Sequence, residues 1–597
     1  MKKFWKTVLA VVVGLLIANI IGFMFFMGFF SSLSSGESKP VIPSKGVMVI
    51  DMATTVISEQ SAEITDPVAL IQGASGSSIG IWDAIQALEK AAMDPAVQFI
   101  FLKTDGMSGD LALTQEFRHA LRDFRKSGKP VVSFSEMPTT GSYYLASAAD
   151  KVYMGSYEGG TVQMTGISSQ LIFLKDLLDK LGVNVQLIRH GKYKSAGEMY
   201  IKNHASPENM EQNQVMINSV WSSYASEIAE SRDMTVDQVN AAIDELKLNF
   251  PADFLNLGFA DALYTKEQLK DQLTSLAVAD KFEDIHFFSF SDYAAAKVAP
   301  GKGKSKIAVI YANGEILDGW DSAEVTGDRF AKMISGIRKD ESVKAVLLRV
   351  NSPGGSVVAS DKIKTELDLL KAEKPLVASY GGYAASGGYW ISNNCEKIFS
   401  DPVTLTGSIG VFGMVPDLSK TLSDIAHVNI TAVSSNKHGD MFSMMRPFTP
   451  EEMDYMQASI ENIYTKFVSI VAEGRNLDPD FVDSIAQGRV WTGADALKIG
   501  LVDELGGFKA ALEYTAGLAG NPDLSSWNVV GYPKMPTTME SLMAMFSGQG
   551  GPDMDQLIFT GTPLEGAASA MTNWYKSLQN GNRDFIFARM PYIQTIQ

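Results

Sequence analysis

Three short stretches of the chain have the composition that nucleophilic chemistry on a carbonyl requires. Ser408 sits between two glycines in VTLTGSIGVFG (403–413), paired glycines Gly354 and Gly355 lie in NSPGGS (351–356), and GGYAASGG (381–388) carries Ser386 among small residues. A hydroxyl that attacks a carbonyl needs a base to take its proton and N–H donors to hold the oxyanion. Adjacent glycines between a strand and a helix expose backbone N–H groups with no side chain in the way. Each stretch alone is also an ordinary tight turn, because Gly and Ser supply turn geometry and local hydrogen bonds. Their combination in one domain, in this order, is more specific.

Several residues compete for the roles of nucleophile and base. Ser386 is one rival to Ser408. The string GSSIG (76–80) matches G-x-S-x-G, but it ends the Gly/Ser-rich run QGASGSSIG (72–80) with no strand feeding an elbow, and it reads as a loop. Lys192 and Lys194 both stand in GKYKS (191–195). On an extended segment they share a face, so alternation does not separate them. The six histidines, at 119, 190, 204, 286, 427 and 438, show no H-x-x-x-H or H-x-H spacing, and Cys395 is the only cysteine. No disulfide, Cys-based metal cage or cofactor is expected.

The elements that must position these groups follow a βαβ rhythm. Residues 307–311 (IAVIY) and 345–350 (AVLLRV) read as buried strands, 360–371 (SDKIKTELDLLK) as a helix with Ser360 as N-cap, and 375–379 (PLVAS) as a strand. Such alternation implies a parallel-rich sheet covered by helices, an α/β fold.

The chain also contains itself twice. VQFIFLK (97–103) matches VKAVLLR (343–349), KPVVSF (129–134) matches KPLVAS (374–379), GSYYLA (141–146) matches GGYWIS (387–392), and DKVY (150–153) matches EKIF (396–399). The offset is 245 or 246 in all four and 244 for LLDKLG (177–182) against TLSDIA (421–426). A constant offset marks an internal duplication. The expected division is 1–44 as cytoplasmic stub, anchor and short linker, and 45–294 as an N-terminal α/β repeat. A Gly/Pro/Lys-rich linker follows at 295–306, then a C-terminal repeat at 307–530. An extension at 531–597 shows no clear periodicity.

With 597 residues the chain exceeds one ordinary domain, and a net charge of −17 argues against a nucleic-acid partner. Residues 8–30 (VLAVVVGLLIANIIGFMFFMGFF) carry no charge. As a helix they would span roughly 34 Å, enough to cross a bilayer. Lys2, Lys3 and Lys6 precede them and no charge follows until Glu37, which places the N-terminus in the cytoplasm and the bulk of the chain outside. The length argues for a retained anchor over a cleaved signal peptide.

SPGG (352–355), YAASGGY (383–389), LTGSIGVF (405–412), GKYKS (191–195) and GRVWTGADALKIGLVD (488–503) resemble the protease IV, or signal peptide peptidase A, family in its long, duplicated form. The resemblance spans roughly residues 45–530 plus the anchor. It implies two tandem crotonase/Clp-protease-like domains and peptide hydrolysis by a Ser–Lys dyad, with Ser408 as nucleophile and Lys194 as general base. Ser386 stands where Clp-type proteases of that fold carry their nucleophile. The resemblance further implies signal peptides left in the membrane as substrates, a single-pass inner-membrane location with the catalytic domains on the extracytoplasmic side, and a homo-oligomer, a tetramer in the duplicated form.

The duplication bears on these roles separately. Aligned on itself, the chain sets Met164 opposite Ser408, Gly439 opposite Lys194, Thr140 opposite Ser386, and Ser108 and Gly109 opposite Gly354 and Gly355. One repeat keeps a base without a nucleophile and the other a nucleophile without a base, which suits one composite site between them. A lysine is charged at neutral pH, so it serves as a base only where burial disfavours the ammonium. Two other readings are an acyl-CoA-processing crotonase-like enzyme and a non-catalytic membrane scaffold of the same fold. The acyl-CoA reading leaves the anchor and the division of Ser and Lys between the repeats unexplained.

Overall fold

The computed structural model describes residues 40–61, 78–159, 163–299, 301, 303–319, 325–534 and 586–590. The apolar run 8–30 lies outside them. Among the described residues no helix is long and apolar enough to cross a membrane.

Two sheets carry the two repeats. The first has six parallel strands in the order Ala262–Tyr264, Lys151–Gly155, Val131–Ser135, Val97–Lys103, Gly46–Asp51 and Phe287–Ser289. The second follows the same path through Glu504–Leu505, Ile398–Ser400, Leu376–Ala385, Val343–Ser352, Lys306–Asn313 and Asn528–Tyr532, again all parallel. It adds Leu405–Gly407 beside Leu376–Ala385 and, antiparallel to that, Val490–Thr492. The strand Val343–Ser352 is buried on both faces, as a parallel sheet covered by helices requires.

The duplication extends to helix ends. Pro207–Arg232 and Pro450–Arg475 each run 26 residues. Each opens with Pro after a hydroxyl N-cap, Ser206 or Thr449, and each stops at a left-handed residue, Asp233 or Asn476. The helix expected from Ser360 begins a turn earlier, as Val357–Lys371. Ser356 is its N-cap, accepting from the Ala359 N–H at 3.3 Å, while the Ser360 hydroxyl bonds back to the Ser356 carbonyl at 2.8 Å. Both serines satisfy the local rule, and the turn after Gly355 decides between them. Ser78–Gly80, expected as loop, is a short strand paired with Val56–Ser58 in a separate two-stranded sheet, leading into the helix Ile81–Met93.

The repeats share a core. Ile50, Ile81, Leu88 and Phe117 of the first pack with Val309, Leu347, Val377 and Phe508 of the second. Inside this seam Arg349 is fully buried and pairs with Glu59 and Glu116 of the other repeat, each at 2.6 Å. Ser379 Oγ and the Tyr380 carbonyl take two further bonds from its guanidinium.

A third sheet joins the repeats at the site. Its order is Val325–Thr326, Ile316–Leu317, Gly354–Ser356, Ile586–Arg589, Phe412–Asp417 and Asn184–Arg189. The last of these belongs to the first repeat, and the fourth comes from the C-terminal extension.

Candidate active site

The strand Asn184–Arg189 crosses from the first repeat to pair antiparallel with Phe412–Asp417, Arg189 lying opposite Phe412. The His190 N–H continues the pairing to the Val411 carbonyl at 3.3 Å. This register brings residues 191–194 beside the segment that holds Ser408. The chain then turns at Gly191, whose φ is +89° and whose Cβ, if present, would lie 2.5 Å from the Gln487 carbonyl. Tyr193 N–H donates to the Gln487 carbonyl at 3.0 Å, and Arg189 Nη1 holds the Lys194 carbonyl at 2.8 Å. From the helix Pro207–Arg232, Gln212 bonds to the Tyr193 carbonyl, to Ser195 Oγ and to Val490 N–H.

That turn separates the two lysines. The expectation that both share a face fails because residues 191–193 are not extended. Lys192 is exposed, with its ammonium 5.1 Å from the Tyr193 ring centroid, and Lys194 is fully buried.

Ser408 follows the strand Leu405–Gly407, in which Gly407 lies opposite Ala385. Its N–H donates to the Arg489 carbonyl at 2.7 Å, and the Ser386 N–H donates to the Gly407 carbonyl at 2.8 Å. Both serines are fully buried and both have positive φ, +47° at Ser408 and +55° at Ser386. Non-glycine residues hold that conformation only where the surroundings over-determine it.

Lys194 Nζ lies 3.0 Å from Ser408 Oγ, 3.1 Å from the Ser408 carbonyl oxygen and 2.9 Å from Ser386 Oγ. Burial alone pushes its amine well below the usual lysine range. A neutral amine has two N–H bonds and one lone pair. Three oxygens surround Nζ; with the amine neutral, two take its N–H bonds and the lone pair can face Ser408 Oγ, whose hydroxyl otherwise reaches the Gly488 carbonyl at 3.4 Å. The Ser386 hydroxyl in turn reaches the Gly410 carbonyl at 3.4 Å.

The paired glycines border the same corner. Gly354 has φ +98°, and a Cβ on it would lie 2.6 Å from the Gly387 nitrogen and 3.0 Å from the Ala385 carbonyl. Its N–H donates to Ser352 Oγ at 3.2 Å. Gly355 lies opposite Ile316 on one side and Ala588 on the other. Between the glycine strand and Phe412–Gly413 lies the strand Ile586–Arg589, paired antiparallel with both.

The equivalent corner of the first repeat is filled in. Met164 packs in an apolar cluster with Tyr143 and Ile243, and the Thr140 hydroxyl bonds to the Gly166 carbonyl at 3.0 Å. Gly439, opposite Lys194 in the alignment, is exposed. Composition alone picks no hydroxyl to orient Lys194 among the many serines and threonines, and the structure places Ser386 there. Sequence reasoning also passed over Gly488, whose φ is +80° and whose Cβ would lie 2.6 Å from Lys194 Cβ. The signal was present as the first residue of the GRVW motif.

The model of "Peptidase family S49" matches residues 123–280 and 368–520. The protein named Protease 4 of Salmonella typhi is 36% identical over 520 residues, covering 85% of this chain and 83% of that one. The Haemophilus influenzae protein of the same name is 33% identical over 516 residues, covering 83% of each. Among solved structures, a point mutant of ClpP1 from Listeria monocytogenes aligns at 16% identity with a TM-score of 0.24, covering 34% of this chain and 93% of that one. With two matched regions in a duplicated α/β chain and relatives aligned over most of its length, this chain belongs to peptidase family S49 and is a serine protease.

Proposed function

We propose that the chain is a membrane-anchored serine endopeptidase in which Ser408 is the nucleophile and Lys194 the general base. The observation that carries this reading is the 3.0 Å approach of a buried amine, its pKa depressed, to a buried hydroxyl from the other repeat. Neutral Lys194 takes the Ser408 proton as Oγ attacks the peptide carbonyl and then gives it to the departing nitrogen. The backbone N–H of Gly355, or that of Gly354 once released from Ser352 Oγ, would hold the oxyanion, a contribution worth about 3 kcal/mol to the transition state. Water then attacks the acyl-enzyme with Lys194 again as base. Ser386 accepts from the amine and fixes its direction, a positioning role.

The substrates proposed are apolar peptides, above all cleaved signal peptides. The run 8–30 would hold the site beside the inner membrane, with the catalytic domains on the extracytoplasmic side. Assembly into a homo-oligomer, a tetramer, would restrict entry to unfolded or short chains.

Ser386 lies as close to the amine as Ser408 does, so it is the second reading for the nucleophile. Fluorophosphonate labelling followed by peptide mapping separates the two. Modification at Ser408, lost in Ser408→Ala and retained in Ser386→Ala, is expected. Labelling of Ser386 would overturn the assignment.

A further inference from the structure

One side chain touches the segments that carry both members of the dyad. Gln212, on the helix Pro207–Arg232 of the first repeat, is buried. Its Nε2 donates to the Tyr193 carbonyl at 3.1 Å and to Ser195 Oγ at 3.0 Å, the residues on either side of Lys194. Its Oε1 accepts from the Val490 N–H of the second repeat at 3.3 Å. Val490 directly follows the two residues that hold Ser408. The Arg489 carbonyl takes the Ser408 N–H at 2.7 Å, and the Gly488 carbonyl accepts from its Oγ at 3.4 Å. One amide thus ties the backbone of the base to the backbone that seats the nucleophile.

The three contacts select an amide. A backbone carbonyl only accepts and a backbone N–H only donates, so the side chain between them must do both. A carboxylate would face the Tyr193 carbonyl with no proton to offer. The helix has other anchors on each side of Gln212. Buried Glu198 accepts from the Ser206 N–H at 3.2 Å, Ser206 Oγ at 3.0 Å and Asn209 Nδ2 at 3.2 Å. Two turns further on, Ser219 Oγ meets Thr492 Oγ1 of the second repeat at 2.7 Å. The duplication separates fold from site here. Set cap to cap, the two 26-residue helices place Tyr224 opposite Phe467 and Ile228 opposite Val471, all buried. Gln212 falls opposite Tyr455, which is 64% exposed. The core face is common to both repeats, whereas the buried amide at this position belongs to the repeat that carries the lysine.

We propose that Gln212 is a positioning residue for the reaction, an amide bridge that sets the separation of Lys194 and Ser408 across the seam between the repeats. This rests on the Ser408–Lys194 reading. Without the amide, the lysine segment keeps the Arg189 bond to the Lys194 carbonyl and the Tyr193 N–H bond to the Gln487 carbonyl. It therefore stays in the seam but gains freedom there. Two effects follow. Nζ spends less time aligned on Ser408 Oγ, which slows the attack. It also spends more time near water, which restores part of the hydration that favours the ammonium.

The test uses the full-length enzyme, a short quenched apolar peptide and three variants. Gln212→Met keeps the length and helix preference of the side chain and removes its bonds. Gln212→Glu keeps an acceptor for the Val490 N–H and loses the donor to Tyr193 and Ser195, so it carries the same readouts should Gln212→Met fail to fold. Ser219→Ala weakens the docking of the same helix away from the lysine. Both Gln212 variants are expected to lower kcat about 10- to 100-fold with little change in KM, and to move the acid limb of the kcat profile to higher pH. Ser219→Ala should lower Tm and leave kcat and the acid limb at the parent values. In a Lys194→Met background, Gln212→Met should lower the residual rate no further, because no amine remains to be placed. An unmoved acid limb, a loss of equal size in the Lys194→Met background, or the same shift in Ser219→Ala would overturn the proposal and leave Gln212 a packing residue. Hydrolysis that survives in Ser408→Ala would instead overturn the dyad reading beneath it.

Discussion

The amine of Lys194 and the hydroxyl of Ser408 lie 3.0 Å apart although 214 positions separate them in the chain, and both are sealed from solvent where the two repeats meet. Burial alone depresses the amine. That burial shifts the balance towards the uncharged form that a base requires.

Lys194→Met should lower kcat by about 10²–10⁴-fold, the usual worth of a general base, while Lys192→Ala leaves turnover unchanged because that side chain is exposed. The same Lys194→Met variant should be more stable than the parent at neutral pH. With the folded-state pKa of the lysine depressed, the unfolded state binds more protons between that value and the ordinary lysine range. Parent stability therefore rises with pH across that window and is lost as pH falls through it. Denaturant titrations at several pH values should show this slope in the parent and not in Lys194→Met.

The rate should rise with pH through the depressed pKa of Lys194, as neutral amine forms. Ser386 Oγ accepts from Nζ at 2.9 Å, and an acceptor favours the ammonium more than the neutral amine. Ser386→Ala should therefore move the acid limb of the kcat profile to lower pH. It should also lower kcat about tenfold with little change in KM, since the amine loses a fixed direction. An acid limb that stays in place would show that Ser386 only fills space.

Gly488→Ala should be among the most damaging changes outside the dyad. A Cβ there meets Lys194 Cβ at 2.6 Å and the Lys194 Cα and backbone nitrogen at 2.7 Å, in a backbone with φ +80°. The conformational strain alone is about 1–3 kcal/mol. A lower Tm together with lost turnover is expected, and an alanine variant of normal activity would mean that the lysine segment is not held as described.

Arg349→Met removes the cation that Glu59 and Glu116 face across the seam between the repeats, leaving buried carboxylates without their partner. A loss of about 3–5 kcal/mol is expected in chemical denaturation. Adding Glu59→Gln and Glu116→Gln to that variant should restore part of it, since neutral amides tolerate burial better than unpaired charges.

Much of this protein is legible in one dimension. Strands such as Val343–Ser352 announce themselves because a doubly covered parallel strand is apolar on both faces. The duplication follows from a constant offset, and the division of Ser408 and Lys194 between its halves already suggests a composite site. Local rules fail where two residues satisfy them equally. Ser356 and Ser360 are both acceptable caps, and Lys192 and Lys194 both acceptable bases, until a glycine turn packed on Gln487 and Gly488 buries one lysine and leaves the other in water.

The amino-acid sequence alone determined the repeat, the strand and helix rhythm and the candidate chemistry, because these depend on composition and spacing within short windows. Tertiary structure alone decided which lysine meets which serine, that Ser386 shares the amine, and that Ile586–Arg589 forms a strand between Gly354–Ser356 and Phe412–Asp417. Those relationships are made by backbone hydrogen bonds and burial between segments hundreds of residues apart, and neither leaves a periodic mark on the residues involved.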